Sequence, residues 1–581
     1  MDLRFGDCRP TDEERAAVDA LLGPPESSWE GADRTDADLR WARGGRAARD
    51  RRDLLLPGLH ALGDRVGWIS EGGLDYLCRR LTVPPAEAYG VATFYAMFSL
   101  RPRPATVLHV CTDLACTAAG ADALCAGTEA RLGPDSGVGV ERSPCLGLCE
   151  RAPAALAVRA GEQVRTAVAA VPQAGDASLM LLGRVGVVDP SSLDDYRAHG
   201  GYAALRRAFE LGPAGVIREV TDSGLVGRGG AAFPTGRKWQ STAAQPDRPH
   251  HLVCNADESE PGTFKDRVLM EGDPFALVEA ITVASYAISA HRAFVYIRDE
   301  YRRAVDSMQY AIDQARARGL LGDDILGQGY RLDIEIRRGA GAYICGEETA
   351  LFNSIEGHRG EPRSKPPFPV EKGLFGRPTV ENNVETLVNV LPILTRGAQA
   401  YAAVGTERST GPKLFCVSGS VARPGVYELP FGATLGELLR LAGVRDGLRA
   451  VLLGGAAGSF VRPDELDIPL TFEGTREAGA TLGSGVVMAF GDTVSLPRLL
   501  LRIARFFREE SCGQCVPCRV GTVRQEEALR RIAERSGAAA ADDIALLREV
   551  GRAMRDASIC GLGQTAWNAV ESAIDRMGAY A

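Results

Sequence analysis

Leu74, Leu77, Cys78 and Leu81 recur at the i, i+3, i+4, i+7 spacing of one buried helix face, and the first hundred residues read as helical. Val107-Leu108-His109-Val110 is then a strand that delivers Cys111 at its end. The stretch to about residue 165 alternates short apolar runs with Gly and Pro, the pattern of a small α/β domain. From residue 250 the order becomes strand Leu252-Val253-Cys254, a helical stretch from about 268, strand Phe294-Val295-Tyr296-Ile297, and a helix with Val305, Met308, Ile312 and Ala315 on one face. In the next strand Leu332, Ile334 and Ile336 interleave with Arg331, Asp333, Glu335 and Arg337. Gly339-Ala340-Gly341 leads from it into a helix carrying Glu347-Glu348-Thr349-Ala350-Leu351. Strands alternating with helices predict a parallel sheet. A proline-rich loop (Pro362, Pro366, Pro367, Pro369, Pro378) follows. Residues 412–490 read as short strands with one helix, opened by the capping box Thr434-Leu435-Gly436-Glu437, and from about 494 helical periodicity returns, interrupted by cysteines.

A length of 581 residues leaves room for roughly four domains. Apolar and charged shares of 45% and 24% are those of a soluble protein, and the net charge of -8 argues against nucleic acid as a partner. No run approaches the ~18 apolar residues of a membrane span, and residues 1–7 lack an apolar leader core. A cytoplasmic protein without direct membrane insertion is expected. The 67 glycines predict many close backbone approaches.

Eight of the 14 cysteines form two sets, Cys111/Cys116/Cys145/Cys149 and Cys512/Cys515/Cys518/Cys560. Four thiolates are what one iron-sulfur cluster requires. Three thiolates on one tight turn with a fourth from elsewhere suit [4Fe-4S]; the looser first set suits [2Fe-2S], with zinc as the alternative for both. The other six (Cys8, Cys78, Cys125, Cys254, Cys345, Cys416) are expected to be buried small hydrophobes.

Strand 252–254 runs into Asn255-Ala256-Asp257-Glu258-Ser259-Glu260-Pro261-Gly262. A carboxylate-rich loop accepts hydrogen bonds from ribose or ribityl hydroxyls and disfavours a 2'-phosphate, so it leans towards NAD over NADP. Gly227-Arg228-Gly229-Gly230-Ala231-Ala232-Phe233-Pro234-Thr235-Gly236 carries so little side chain that its amides can close on a phosphate or a flat cofactor. It contains Gly227-x-Gly229-x-x-Ala232, formally a dinucleotide fingerprint, but lacks the strand-turn-helix context. It reads as a cofactor-covering loop in which Arg228 and Lys238 neutralise phosphate; a glycine-rich surface turn is the alternative. Singly, Tyr343 and Phe233 also fit core aromatics, and Glu347 and Glu348 fit acids that complement a helix dipole. The adjacent His250-His251 pair is expected to face solvent.

Together these motifs resemble the flavin subunit of respiratory complex I, preceded in the same chain by its thioredoxin-like [2Fe-2S] subunit. The same pair recurs as the diaphorase unit of NAD-linked hydrogenases and formate dehydrogenases. The resemblance covers nearly the whole chain and is carried by residues 227–239, 255–267, 339–348, Asn382-Asn383-Val384-Glu385-Thr386 and Ser511-Cys512-Gly513-Gln514-Cys515-Val516-Pro517-Cys518-Arg519. It implies a multidomain α/β protein: an N-terminal helical region (1–100), a thioredoxin-like [2Fe-2S] ferredoxin domain (101–170), a linker with the glycine-rich loop (171–245), a Rossmann-like parallel-sheet FMN/NAD domain (246–405), a β-grasp-like domain (412–490) and a C-terminal helical [4Fe-4S] bundle (494–581).

It further implies FMN among Gly227, Arg228, Gly229, Gly230, Lys238, Asn255, Asp257, Glu258, Tyr343, Gly346, Glu347, Asn382, Asn383 and Thr386. NAD(H) is implied over the flavin, with Phe233 and Phe368 flanking adenine and Glu260, Glu348 and Lys365 lining its site; Glu260 and Glu348 count as catalytic only for positioning the nicotinamide. The implied activity is NADH:acceptor oxidoreduction, with further iron-sulfur and catalytic subunits of a multisubunit redox complex as partners. Peripheral membrane attachment would then run through those partners. The rival expectation is a non-catalytic electron-transfer adaptor with a degenerate nucleotide site. Two departures bear on this: Ala232 stands where the family usually has glycine, and Ser241 where it usually has an apolar or aromatic residue. Weaker NADH binding than is typical is therefore expected.

Overall fold

The computed structural model describes residues 8–25, 51–133, 136–160, 168–533, 535 and 537–580. Residues 1–7, on which the expectation about a leader rests, lie outside them. The N-terminal region is helical as expected: Asp12–Leu22, opened by a Thr11/Glu14 capping box, then Leu55–Val66, Glu71–Leu81 and Pro85–Ala92. Leu74, Leu77, Cys78 and Leu81 are all buried. The next unit is a three-stranded sheet of order β2-β1-β3, with β1 (Thr106–Cys111) parallel to β2 (Val138–Ser143) and antiparallel to β3 (Ala155–Arg159).

The predicted parallel sheet is present, with β4 (His250–Ala256), β5 (Ala290–Ile297), β6 (Asp333–Arg338) and β7 (Thr379–Asn383) in the order β6-β5-β4-β7. Winding proceeds outward from β4 to β6 and then returns to β7 on the other side, so the direction reverses between β4 and β7. Open α/β sheets bind ligands in the crevice such a reversal leaves at the carboxyl ends. His250 and His251 correct the reading of the sequence: both are buried, because β4 is central, and His250 Nδ1 pairs with the Ile288 carbonyl at 2.7 Å.

Residues 412–491 form a five-stranded mixed sheet, β11-β10-β12-β8-β9, from β8 (Pro412–Gly419), β9 (Gly425–Pro430), β10 (Leu448–Leu453), β11 (Ser459–Val461) and β12 (Val486–Gly491). Its expected helix Leu435–Ala442 has the Thr434/Glu437 capping box, and a second helix, Phe472–Glu477, was not foreseen. The C-terminal part is helical, opening with Leu496–Glu510, whose apolar stripe Leu496, Leu499, Leu500, Ile503, Phe506 and Phe507 is buried. Each such side chain contributes about 1.5–3 kcal/mol to holding this helix on the rest of the protein. Among the six other cysteines, Cys8 is exposed, against expectation, and the rest are buried. Among the described residues no helix is long and apolar enough to cross a membrane.

The N-terminal helices are tied to the parallel sheet through His60. Its Nε2–H donates to the Gly339 carbonyl (2.8 Å) while Nδ1 accepts from Arg338 (3.0 Å), an arrangement open only to the neutral ring. Burial and then Arg338 push its pKa from 6.5 down to about 4. The fold therefore prefers neutral His60: the contribution is complete above about pH 6.5 and is lost as pH falls towards 4. The expected size over that window is about 2–3 kcal/mol. Thermal melts should show the wild type losing stability from pH 7 to 5 more steeply than His60→Gln; parallel curves would refute this.

Candidate functional site

The carboxyl ends of β4 and β7 lie side by side, with Cys254 opposite Asn382 and Asn255 opposite Asn383. Asn255 Nδ2 donates to the Gly346 carbonyl (3.0 Å) and to Glu381 (2.8 Å), joining the turn after β6 to this edge. Asp257 accepts from Ser259 (2.9 Å), but among the described residues its buried Oδ2 has no partner, and burial raises its carboxyl to about 7. An unsatisfied buried acceptor beside Gly346, whose Cβ would come within 3.5 Å of that oxygen, suits a hydroxyl of a bound ribityl chain. Over the same edge folds the glycine loop: Gly227 N–H bonds the Phe233 carbonyl (2.9 Å), Arg228 N–H bonds Thr386 Oγ1 (2.8 Å), and a Cβ on Gly229 would press on Asn383 at 3.3 Å. Such a cradle of backbone fits a flat cofactor.

Several expected ligands use their side chains differently. The Arg228 guanidinium points away from the cradle, fully buried, bonding Tyr401 Oη (3.1 Å) and the Thr410 carbonyl (2.7 Å) over the Phe431 ring. Its expected phosphate role is therefore corrected to a clamp between domains. Glu258 turns inward, accepting from the Asp266 and Arg267 amides (2.9 and 3.1 Å) and Tyr301 Oη (3.1 Å), which leaves its backbone, not its carboxylate, at the site. Asn382 accepts from the Trp239 indole (2.8 Å), and Asn383 is engaged by Asp266 (2.6 Å) and Lys265 (3.3 Å), so both amides frame the floor. Glu347 caps helix Glu348–Ile355 by accepting from the Thr349 and Ala350 amides, a role at the helix start, while its other oxygen meets Lys365 at 2.9 Å.

Glu348 sits between two cations, Lys238 (3.3 Å) and Lys365 (2.6 Å); burial alone would raise its pKa, but the lysines override it and hold the carboxylate ionised. Lys238 also bonds the Glu381 carbonyl at 2.8 Å. Phe233 and Phe368 are 48% and 53% exposed, so neither is a core aromatic, and both rings are free to stack. Gly230 approaches the Gly483-Ser484 backbone. Ala232 has φ +51°, the left-handed conformation in which a methyl costs about 1 kcal/mol or more. Ala232→Gly should let the loop close further and tighten NADH binding several-fold in a direct titration; an unchanged affinity would remove Ala232 from the account.

Tyr343 links this edge to the second cysteine set. Its N–H donates to Glu510 (2.8 Å), two residues before Cys512, and its ring packs on Phe506 with centroids 5.1 Å apart. Cys515 and Cys560 stand just before helices Val516–Ile532 and Gly561–Thr565. Burial pushes the Cys560 thiol up to about 12, and the Leu562 and Gly563 amides oppose that rise. In the first set, Cys111, Cys116, Cys145 and Cys149 are all buried, Cys145 and Cys149 Sγ are 3.4 Å apart, and the Gly147 and Ala154 amides point at the Cys145 and Cys116 sulfurs. Among the described residues no three of these groups converge at the ligand distances of a bare metal ion. The fit to clusters rests on four thiols per set, joined in the first set by amide donors aimed at sulfur.

Arg298 was missed in the sequence. It donates to the Glu258 carbonyl and the Cys145 carbonyl (both 2.5 Å), tying the acidic loop after β4 to the first cysteine set. Its signal is position, since it follows β5 at the same sheet end as the motifs after β4 and β7.

Family models match in chain order: thioredoxin-like [2Fe-2S] ferredoxin at 45–167, Nuo51 FMN-binding domain at 220–392, SLBB domain at 414–443 and NADH-ubiquinone oxidoreductase-F iron-sulfur binding region at 498–579. The F-type subunit of NADH-quinone oxidoreductase from Aquifex aeolicus is 45% identical over 68% of this chain and 92% of its own length. NADP-reducing hydrogenase subunit HndC of Solidesulfovibrio fructosivorans is 42% identical over 67% and 80%. A chain in the crystal structure of NAD+-reducing [NiFe]-hydrogenase in the H2-reduced state superposes with TM-score 0.78 at 34% identity, covering 91% of both chains.

Proposed function

The chain belongs to the family of F-type subunits of NADH-quinone oxidoreductase, carrying a thioredoxin-like [2Fe-2S] ferredoxin ahead of the flavin module, and from that premise we propose how its residues serve the reaction. It is an NADH-dependent oxidoreductase with FMN, [4Fe-4S] and [2Fe-2S] groups. Bound FMN supplies hydride exchange with NAD(H) and one-electron exchange with the clusters.

Gly227, Gly229 and Gly346 shape the flavin cradle, Asp257 offers its free oxygen to the ribityl chain, and Lys238 supplies the cationic group that Arg228 does not. Phe233 and Phe368 flank the adenine, Lys365 and Glu348 hold the nucleotide's polar parts, and Glu260 positions the nicotinamide. The observation that carries this reading is Tyr343, which touches both the nucleotide edge and the segment leading to Cys512. Val516, Val520 and Ile559 are exposed apolar residues beside Cys515 and Cys560, and there a partner's iron-sulfur subunit is proposed to dock. In this proposal residues 246–405 are the Rossmann-like nucleotide domain, 412–490 a β-grasp-like domain and 494–581 the helical cluster domain. Any membrane attachment is through partner subunits.

Anaerobic NADH titration of the FMN-loaded chain, followed by flavin absorbance and low-temperature EPR, tests the reading. Flavin bleaching with a [4Fe-4S] signal, and little response to NADPH, is expected. Clusters reducible by dithionite yet silent to NADH would favour the adaptor.

A further inference from the structure

We propose that the glycine loop of residues 454–458, in the mixed-sheet domain, is a positioning element of the nicotinamide site: the Ala457 amide holds the Glu260 carboxylate, and Asn568 of the cluster domain braces the same residue through its carbonyl. This rests on the reading of Glu260 given above.

The loop joins β10 to β11 and is built for close approach. Gly454 and Gly455 are consecutive residues with φ +87° and +79°, a conformation that favours glycine. A Cβ on Gly454 would lie 2.4 Å from the Thr481 carbonyl oxygen, and one on Gly455 would lie 2.6 Å from the Glu260 carboxyl carbon. Neither position has space for a side chain. The Gly454 amide bonds Val486 in β12 (2.9 Å) and the Gly458 amide bonds Gly455 (2.9 Å), so the loop is locked to its sheet. In that setting the Ala457 N–H donates to Glu260 Oε1 at 3.0 Å. On its other side the Ala457 carbonyl accepts from Asn568 Nδ2 at 3.0 Å, and Phe460 N–H bonds Ser572 Oγ at 2.9 Å, both from helix Asn568–Met577. One short loop thus touches the nucleotide loop and the domain that carries Cys560.

A hydrogen bond to a carboxylate favours its ionised form. Burial lifts Glu260 to about 7 and the Ala457 amide opposes that rise. The titratable groups around it are Asp257 and Glu258 in its own loop and the Tyr343 phenol, which burial keeps neutral; the 454–458 loop presents only backbone and two methyl groups. Loosening the loop should therefore raise the pH at which Glu260 ionises.

The test uses the FMN- and cluster-loaded chain, with NADH KM and kcat measured from about pH 5.5 to 8.5 and the carboxyl infrared band titrated in the flavin-free chain. Gly455→Ala is expected to raise KM about tenfold, with the smaller effect on kcat, and to move the ionisation midpoint up by about one pH unit. Asn568→Ala should move both in the same direction by less, with iron content and dithionite-reduced EPR signals unchanged, and Glu260→Gln should remove the carboxyl band whose midpoint the loop variants move while the Asp257 band, also near 7, stays. Wild-type KM and midpoint in Gly455→Ala and Asn568→Ala, with Glu260→Gln altered, would overturn the loop's role and leave Glu260 in place. A Glu260→Gln chain indistinguishable from wild type would overturn the Glu260 reading, and the loop proposal with it. If Gly455→Ala fails to fold, Asn568→Ala decides.

Discussion

Cys560→Ala is expected to keep NADH-dependent flavin bleaching and to lose the [4Fe-4S] EPR signal, with electron delivery to a one-electron acceptor beyond that cluster falling to background. Cys512, Cys515 and Cys518 come from one turn, whereas Cys560 comes from the start of a separate helix. Cys345, two residues after Tyr343, is fully buried and turned to Tyr95 Oη at 3.9 Å. A cubane left with three protein ligands is not retained at full occupancy. The Cys111 set belongs to a different sheet, so its [2Fe-2S] signal should survive and separate cluster loss from misfolding. A variant with full iron content and an undiminished rate would sink the assignment of Cys560 as the fourth ligand.

Glu385→Gln is the second large effect expected. Glu385 is fully buried and accepts from Lys413 Nζ (2.6 Å), Lys265 Nζ (3.0 Å) and the Leu414 amide (2.8 Å), with the Arg228 guanidinium also close. Burial alone would raise its pKa, and the cations, Lys413 first, hold it below the usual range. Neutralising it leaves buried Lys413 without its carboxylate, while Lys265 keeps Asp266 (2.7 Å), a change that costs about 3–5 kcal/mol. Through Glu385 Lys413 joins the mixed sheet to helix Val384–Val388, and Lys265 reaches Asn383 in the cradle floor, so FMN retention should fall together with the melting temperature.

The pH dependence has a definite sign. Burial already depresses Lys413 to about 8 with Glu385 present. Without that partner its proton is held still less tightly, so the variant's deficit should be largest at low pH and shrink as pH rises. Adding Lys413→Met should recover part of the loss, since the unpaired charge is removed. A Glu385→Gln chain that melts within about 1 kcal/mol of wild type at pH 6 would refute the account.

Much of the fold was legible along the chain. Periodicity located the Leu74 helix face, the strands at 252–254 and 294–297, the alternating strand around Ile334 and the Thr434 capping box, because each depends on residues within one or two turns of each other. The thiol sets, the glycine run and the acidic loop were legible as chemistry for the same reason: composition over a short window limits what the backbone can approach and what it can accept.

Orientation and distant pairing were decided only in three dimensions. His250 and His251 are polar residues in a polar neighbourhood of sequence, yet the central place of β4 buries them. Arg228 sits in a phosphate-like motif, but Tyr401, Thr410 and Phe431, more than 170 residues away, capture its guanidinium. Arg298 reaches Cys145 across 153 positions, and Ala457 reaches Glu260 across 197. Local pattern depends on backbone geometry that repeats every few residues. The direction of a charged side chain depends on which partner can offset its desolvation, and that partner is set by how the domains pack.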